Sequence, residues 1–222
     1  AKVICVSAIT KSGISDLIAA ISHSLPSNDD QFRIVGDLLD PGDCVVLVMP
    51  IDKSAPKGRI ILPQQQVLRD VLESDAVGLV TKEHQLTQSL SMLKQKPKMV
   101  ITDSQAFFKV EKETPPDILL TSFSILFARY KGDLAELVKG ACSIKNLRDG
   151  DNILIAESCT HHQTSDDIGT VKIPRWLRDA TGKELVFHHV SGNSYGEDLK
   201  KYSLIVHCGA CMINRKQMLH RI

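Results

Sequence analysis

Tyr202-Ser203-Leu204-Ile205-Val206-His207-Cys208-Gly209-Ala210-Cys211-Met212 is the stretch whose reading decides the fold. Residues 202–206 are apolar or small and read as a buried strand, and the Met- and Ile-spaced run 212–222 reads as a helix. Two thiols thus stand where a strand turns into a helix, where unpaired N–H groups and the helix dipole favour thiolate over thiol. A second element of this kind lies upstream: the strand Asn152-Ile153-Leu154-Ile155-Ala156 runs into Glu157-Ser158-Cys159-Thr160-His161-His162. If the two strands are parallel neighbours, Cys159, Cys208 and Cys211 converge with His161 and His207 at one rim of one sheet. That is a candidate metal site.

Outward from these two strands the chain alternates. Strands are expected at residues 44–49, 76–80, 99–102, 118–121, 152–156, 185–190 and 202–206. Helices are expected at 63–73, 85–93, 105–110, 122–140, 174–180 and 212–222, with Pro63 and Pro174 suited to first turns and Gly182 to a C-terminal cap. Alternation of this kind predicts an α/β chain of two consecutive units, mostly parallel sheets joined by crossover helices. At the start, Val3-Ile4-Cys5-Val6-Ser7-Ala8 reads as a strand and residues 13–25 as a helix, followed by a linker at 26–30. One strand and one helix do not make a domain, and they look like the tail of a larger one.

Composition narrows the function. The 222 residues suffice for one large domain or two small ones. A net charge of +1 gives no electrostatic case for nucleic acid or an anionic membrane, and no apolar run is long enough to span a bilayer. Six cysteines in a chain of this length, with no signal peptide at its start, point to a reducing cytoplasm and a metal role for some of them. Cys5 and Cys44 lie in apolar runs and read as core thiols, and Cys142, after a helix end, as structural. His188 and His189 are strand neighbours on opposite faces, read as core or surface. The charged run 52–59 suggests a binding loop, and a solvated loop is the preferred reading.

A lone C-x-x-C pair serves redox dithiols, zinc sites and iron–sulfur sites alike. Structural zinc sites usually join two paired-ligand knuckles, and no second close Cys pair exists here. Three thiolates from distant segments suit a [4Fe–4S] cluster on Cys159, Cys208 and Cys211, with the fourth iron on a weaker ligand. His161 and His207 are the first candidates for that ligand, Glu197 and Asp198 weaker ones. A zinc-stabilised regulatory or interaction domain is the alternative, and a Cys208–Cys211 dithiol enzyme the third. No G-x-x-x-x-G-K-[ST] loop, Asn-Lys-x-Asp motif or G-x-S-x-G elbow occurs in the sequence, so GTP hydrolysis by these residues is not expected.

The residues also carry a resemblance. Cys159-Thr160-His161 with His207-Cys208-Gly209-Ala210-Cys211 resembles the C-x-H … H-C-x-x-C signature of HydF, the [FeFe]-hydrogenase maturation GTPase family. Residues 155–162, and Asp167-Ile168-Gly169 through 172–177, look like the same family. The stretch Val6-Ser7-Ala8, Gly13-Ile14 and Leu17 resembles the last guanine-binding loop and final helix of small GTP-binding domains. The resemblance implies that 1–28 is the remnant of a GTP-binding domain, 29–121 a dimerisation domain and 122–222 an iron–sulfur domain. It further implies a homodimeric scaffold and carrier. Such a protein holds a [4Fe–4S] cluster with an exchangeable site and receives a di-iron precursor from radical-SAM maturases. It then delivers that precursor to apo-[FeFe]-hydrogenase, with GTP bound only by the full-length protein. Cys159, Cys208 and Cys211 would ligate iron, and His161 and His207 match the motif histidines, whose ligation differs among members.

Overall fold

The computed structural model describes residues 3–24, 32–51, 60–157, 167–192, 195, 198–208 and 213–222, with the backbone alone of His23, Ser24 and Cys208. The chain divides into two compact units, residues 1–33 and 34–222.

Among its described residues the smaller unit holds one helix, α1 (Ile14–Ser24). Its apolar stripe remains open, with Ile18 and Ile21 more than half exposed. The strand expected at residues 3–8 does not form, and Cys5 is exposed rather than a core thiol. A strand needs a neighbour for its ladder, and none pairs with it among the described residues.

The larger unit is built on two parallel sheets. The first has strands β1 (Cys44–Val48), β2 (Val77–Thr81), β3 (Met99–Thr102) and β4 (Leu119–Ser122) in the order β2-β1-β3-β4. Every pairing is parallel, with Val45 opposite both Gly78 and Met99. The crossovers are α2 (Leu62–Leu72), α3 (Leu86–Ser91) and α4 (Phe107–Glu113). The inner strands β1 and β3 read as unbroken apolar runs because helices cover both faces. On one face Val45, Leu47, Met99 and Ile101 meet Val67 and Val71 of α2, with Phe123, Leu126 and Phe127 behind them. On the other, Val46, Val48 and Val100 meet Leu86 of α3 and Val110 of α4.

The single long helix expected at 122–140 is two: α5 (Phe123–Lys131) and α6 (Leu134–Ser143). Gly132 ends the first in extended backbone, and the Asp133 carboxylate accepts from the N–H groups of Ala135 and Glu136 to open the second. Helical periodicity continued across the break, so Gly132-Asp133 was the sole signal for it. Cys142 lies within α6 and is exposed, not structural as its position suggested.

The second sheet has β5 (Asn152–Glu157), β6 (Val186–Ser191) and β7 (Leu204–Cys208), all parallel in the order β6-β5-β7. A π-helical turn (Ile168–Lys172) leads into α7 (Ile173–Thr181), closed by Gly182 at φ 65° as its position predicted. Ile153 packs with Leu177 and Leu185 on the α7 face, joined by Leu204 and Val206 of β7. His188 and His189 are both exposed on the edge strand β6. The last helix, α8 (Arg215–Arg221), starts later than the sequence suggested, at a capping box of Asn214 and Gln217.

Candidate metal centre

The candidate centre begins at the C-terminal ends of β5 and β7. These strands are direct parallel neighbours, and Glu157 is the register partner of Cys208, with Ala156 opposite His207. The condition set by the sequence, that the two strands adjoin with the same polarity, is met. Cys159 follows Glu157 by two residues. Cys159, His161, His162, Glu197 and Cys211 lie outside the described residues, as does the Cys208 side chain. Asp198 is exposed.

His207 is described in full. Its Nε2 accepts from Arg221 Nη1 at 2.7 Å. Arginine only donates, so the ring proton sits on Nδ1. Burial, and then the positive charge of Arg221, push His207 down to about 4, and the imidazole is neutral at pH 7. Arg221 also donates to the Gly192 carbonyl and lies 5.1 Å from the centre of the Tyr195 ring. Tyr195 meets His207 edge-on at 6.4 Å, and burial raises its phenol. His207 and Val206 are consecutive in a strand, so His207 faces away from the α7 side. Arg221, the last residue of α8, therefore reaches the opposite face of the sheet.

Two features on the α7 side were not singled out from the sequence. Glu157 is buried, and its Oε1 has no hydrogen-bond partner among the described residues. Gly169 makes room for it: a Cβ there would lie 1.9 Å from that oxygen. Asp167 is buried too, accepting from the Thr170 N–H at 2.8 Å and hydroxyl at 3.0 Å to start the π-helical turn. The signal that could have found Glu157 is a carboxylate ending an apolar strand, with a glycine in the segment that returns to it.

α8 is fixed beside this rim by its own contacts. Arg215 Nη1 donates to the carbonyls of Tyr130 at 2.7 Å, Gly132 at 3.2 Å and Arg129 at 3.5 Å. Ile213 and Met218 form a small core with Leu137 of α6. Among the described residues no group of three or more His, Cys, Asp or Glu side chains is arranged to hold a metal ion. No described helix is long and apolar enough to cross a membrane.

Two family models match the chain. That of the hydrogen maturase F dimerization domain covers residues 34–132, and that of the hydrogen maturase F tetramerization domain residues 135–222. The first match runs through α5 to its end. No curated protein matches. A solved structure from a study of fatty acyl-adenylate ligases of E. coli and L. pneumophila is similar at 16% identity with a TM-score of 0.32. That similarity covers 70% of this chain and 32% of the other, so this chain spans about a third of that protein's length.

Proposed function

The chain belongs to the HydF family of hydrogenase-maturation proteins, and from that premise we propose that it is a scaffold and carrier for metallocofactor assembly. It holds a [4Fe–4S] cluster on Cys159, Cys208 and Cys211 and presents one iron through a replaceable ligand. Its cargo is a di-iron precursor received from radical-SAM maturases and passed to apo-[FeFe]-hydrogenase. The observation that carries this reading is the parallel pairing of β5 with β7, with Glu157 in register with Cys208. Two strand ends, one leading to Cys159 and one bearing Cys208, thereby lie side by side.

The donor set fits the group. Three thiolates fix three irons and leave the fourth without a cysteine, whereas four thiolates would close the cluster. The cluster supplies an iron at which a bridging ligand of the cargo can replace a weak one. The chain's residues do the rest. Cys159, Cys208 and Cys211 would hold such a cluster, and the parallel pairing of β5 and β7 fixes the strand ends, at Glu157 and Cys208, from which the chain leads to them. His161 and His207 remain the first candidates for that ligand. Since His207 Nε2 is held by Arg221, ligation through that nitrogen would require Arg221 to withdraw.

Matches to a dimerization and a tetramerization domain support a homo-oligomer. We take residues 1–28 as the end of a GTP-binding domain, the residues matched by the dimerization model, 34–132, as the dimerisation domain, and those matched by the tetramerization model, 135–222, as the cluster domain. GTP hydrolysis belongs to the full-length protein, since the phosphate loop is missing from these residues. A cytoplasmic setting suits thiolates that must stay reduced.

The test is cargo retention. The anaerobically reconstituted chain is incubated with a synthetic di-iron carbonyl–cyanide complex, separated by gel filtration and read by infrared. Carbonyl and cyanide bands should travel with the chain and be lost in Cys208→Ser. Bands absent from the unsubstituted chain, or undiminished by Cys208→Ser, would sink the carrier reading.

A further inference from the structure

β6 is an outer strand of the second sheet, and it carries none of the features that protect an exposed edge. Val186-Phe187-His188-His189-Val190-Ser191 contains no lysine, glutamate or proline. Its register against β5 runs unbroken from Val186 to Ser191, so no bulge twists it away. Val186, His188, His189 and Ser191 are exposed. The other outer strand, β7, is more enclosed: Leu204, Val206 and His207 are half-buried, and Arg221 holds His207.

The direction of the backbone groups decides what this edge accepts. The N–H groups of Val186 and Gly192 donate toward β5, to the carbonyls of Asp151 and Glu157, each at 3.0 Å. Backbone groups of successive strand residues point to opposite sides in turn. Phe187, His189 and Ser191 therefore direct both N–H and C=O away from β5. Among the described residues no strand meets them. Such a row accepts an extended segment, and a second β6 is one. Two copies of an edge strand pair antiparallel about a two-fold axis perpendicular to the sheet, which uses up both edges and closes the assembly. The family match says which occupant to expect. β6 lies within residues 135–222, matched by the tetramerization domain, whereas the outer strands of the first sheet, β2 and β4, lie within the dimerization match.

We propose that β6 is a self-association edge: it pairs antiparallel with β6 of a second copy of this chain, joining two three-stranded sheets into one of six strands. The register that engages every outward group sets His189 opposite the partner's His189 and Phe187 opposite the partner's Ser191. Each such pair exchanges two hydrogen bonds, about six in all. His188 then lies opposite the partner's Val190, on the face away from α7. Both α7 helices fall on the same side of the joined sheet. The inference rests on the homo-oligomer reading under Proposed function and is independent of iron.

The test is light scattering of the intact metal-free chain under reducing conditions, over a range of concentrations. His189→Pro removes an outward N–H that β5 does not use, a position where an edge strand tolerates proline. His189→Lys sets two like charges opposite each other at the two-fold axis. Each should halve the mass of the assembly, while circular dichroism and amide exchange in β5 stay as in the parent. The register is read by mild oxidation and mass spectrometry. His189→Cys should give a disulfide between position 189 of two chains, because hydrogen-bonded pairs have Cα atoms about 5.5 Å apart, within disulfide reach. His188→Cys should give none at position 188, since that residue and its copy are diagonal neighbours about 7–8 Å apart. An assembled parent whose mass neither His189 variant lowers overturns the proposal and leaves the homo-oligomer reading standing, and crosslinking at 188 rather than 189 overturns the register. A parent that stays monomeric at every concentration overturns both the proposal and that reading.

Discussion

At His207 burial and the Arg221 guanidinium act in the same direction, both against a charged imidazole. Its folded-state pKa is depressed, so the stability it contributes is full above about 6.5 and is lost as the pH falls toward 4. In an NMR titration of the metal-free chain the His207 ring should change charge near 4. Arg221→Met should raise that midpoint while leaving it below 6.5, because burial is the larger cause. A midpoint at 6.5 in the parent chain would contradict the geometry. On the other side of the sheet, Gly169→Ala would drive a methyl group into the Glu157 carboxylate. It should destabilise the chain by about 1–3 kcal/mol, the usual cost of overpacking, measured by urea unfolding. Neither contact was legible in the sequence. Arg221 comes after the motif in an ordinary helical run, and Glu157 shows its burial only once the return of Gly169 is known.

Elements were more legible than contacts. The inner strands β1, β3 and β5 are apolar at nearly every position because they are buried on both faces, and that pattern is local. The break between α5 and α6 was hidden, since apolar spacing carries across Gly132-Asp133 while a cap depends on one side chain's reach. Asp133→Ala should remove that cap at about 1 kcal/mol of stability. Circular dichroism should show only slight helix loss, and a far larger cost would mean that Asp133 does more than cap α6. In the sheet interior, Ile101→Ala removes a side chain with no exposed surface and should cost about 2–5 kcal/mol. The expected strand at residues 3–8 failed for the complementary reason: an apolar run specifies a strand only where a neighbour completes the ladder.

For the whole molecule, alternating strands and helices read correctly as two successive parallel sheets, since crossover chemistry constrains topology strongly. The candidate site was legible as far as its two strand ends, because cysteines and histidines stand out at the ends of apolar runs. Its framing by α8 was not, as that depends on contacts between Arg215 and a helix more than eighty residues earlier. Light scattering of the purified chain should give a multiple of 24.5 kDa, as matches to dimerization and tetramerization domains lead one to expect. The central claim is that thiolates from two adjoining strand ends hold one iron–sulfur cluster. Its most direct test is iron, sulfide and zinc content with EPR on the anaerobically reconstituted chain, beside Cys208→Ser. The account predicts about four irons and four sulfides per chain, with a reduced-cluster signal that Cys208→Ser abolishes. About one zinc per chain with no sulfide would contradict it and make the chain a zinc-stabilised domain.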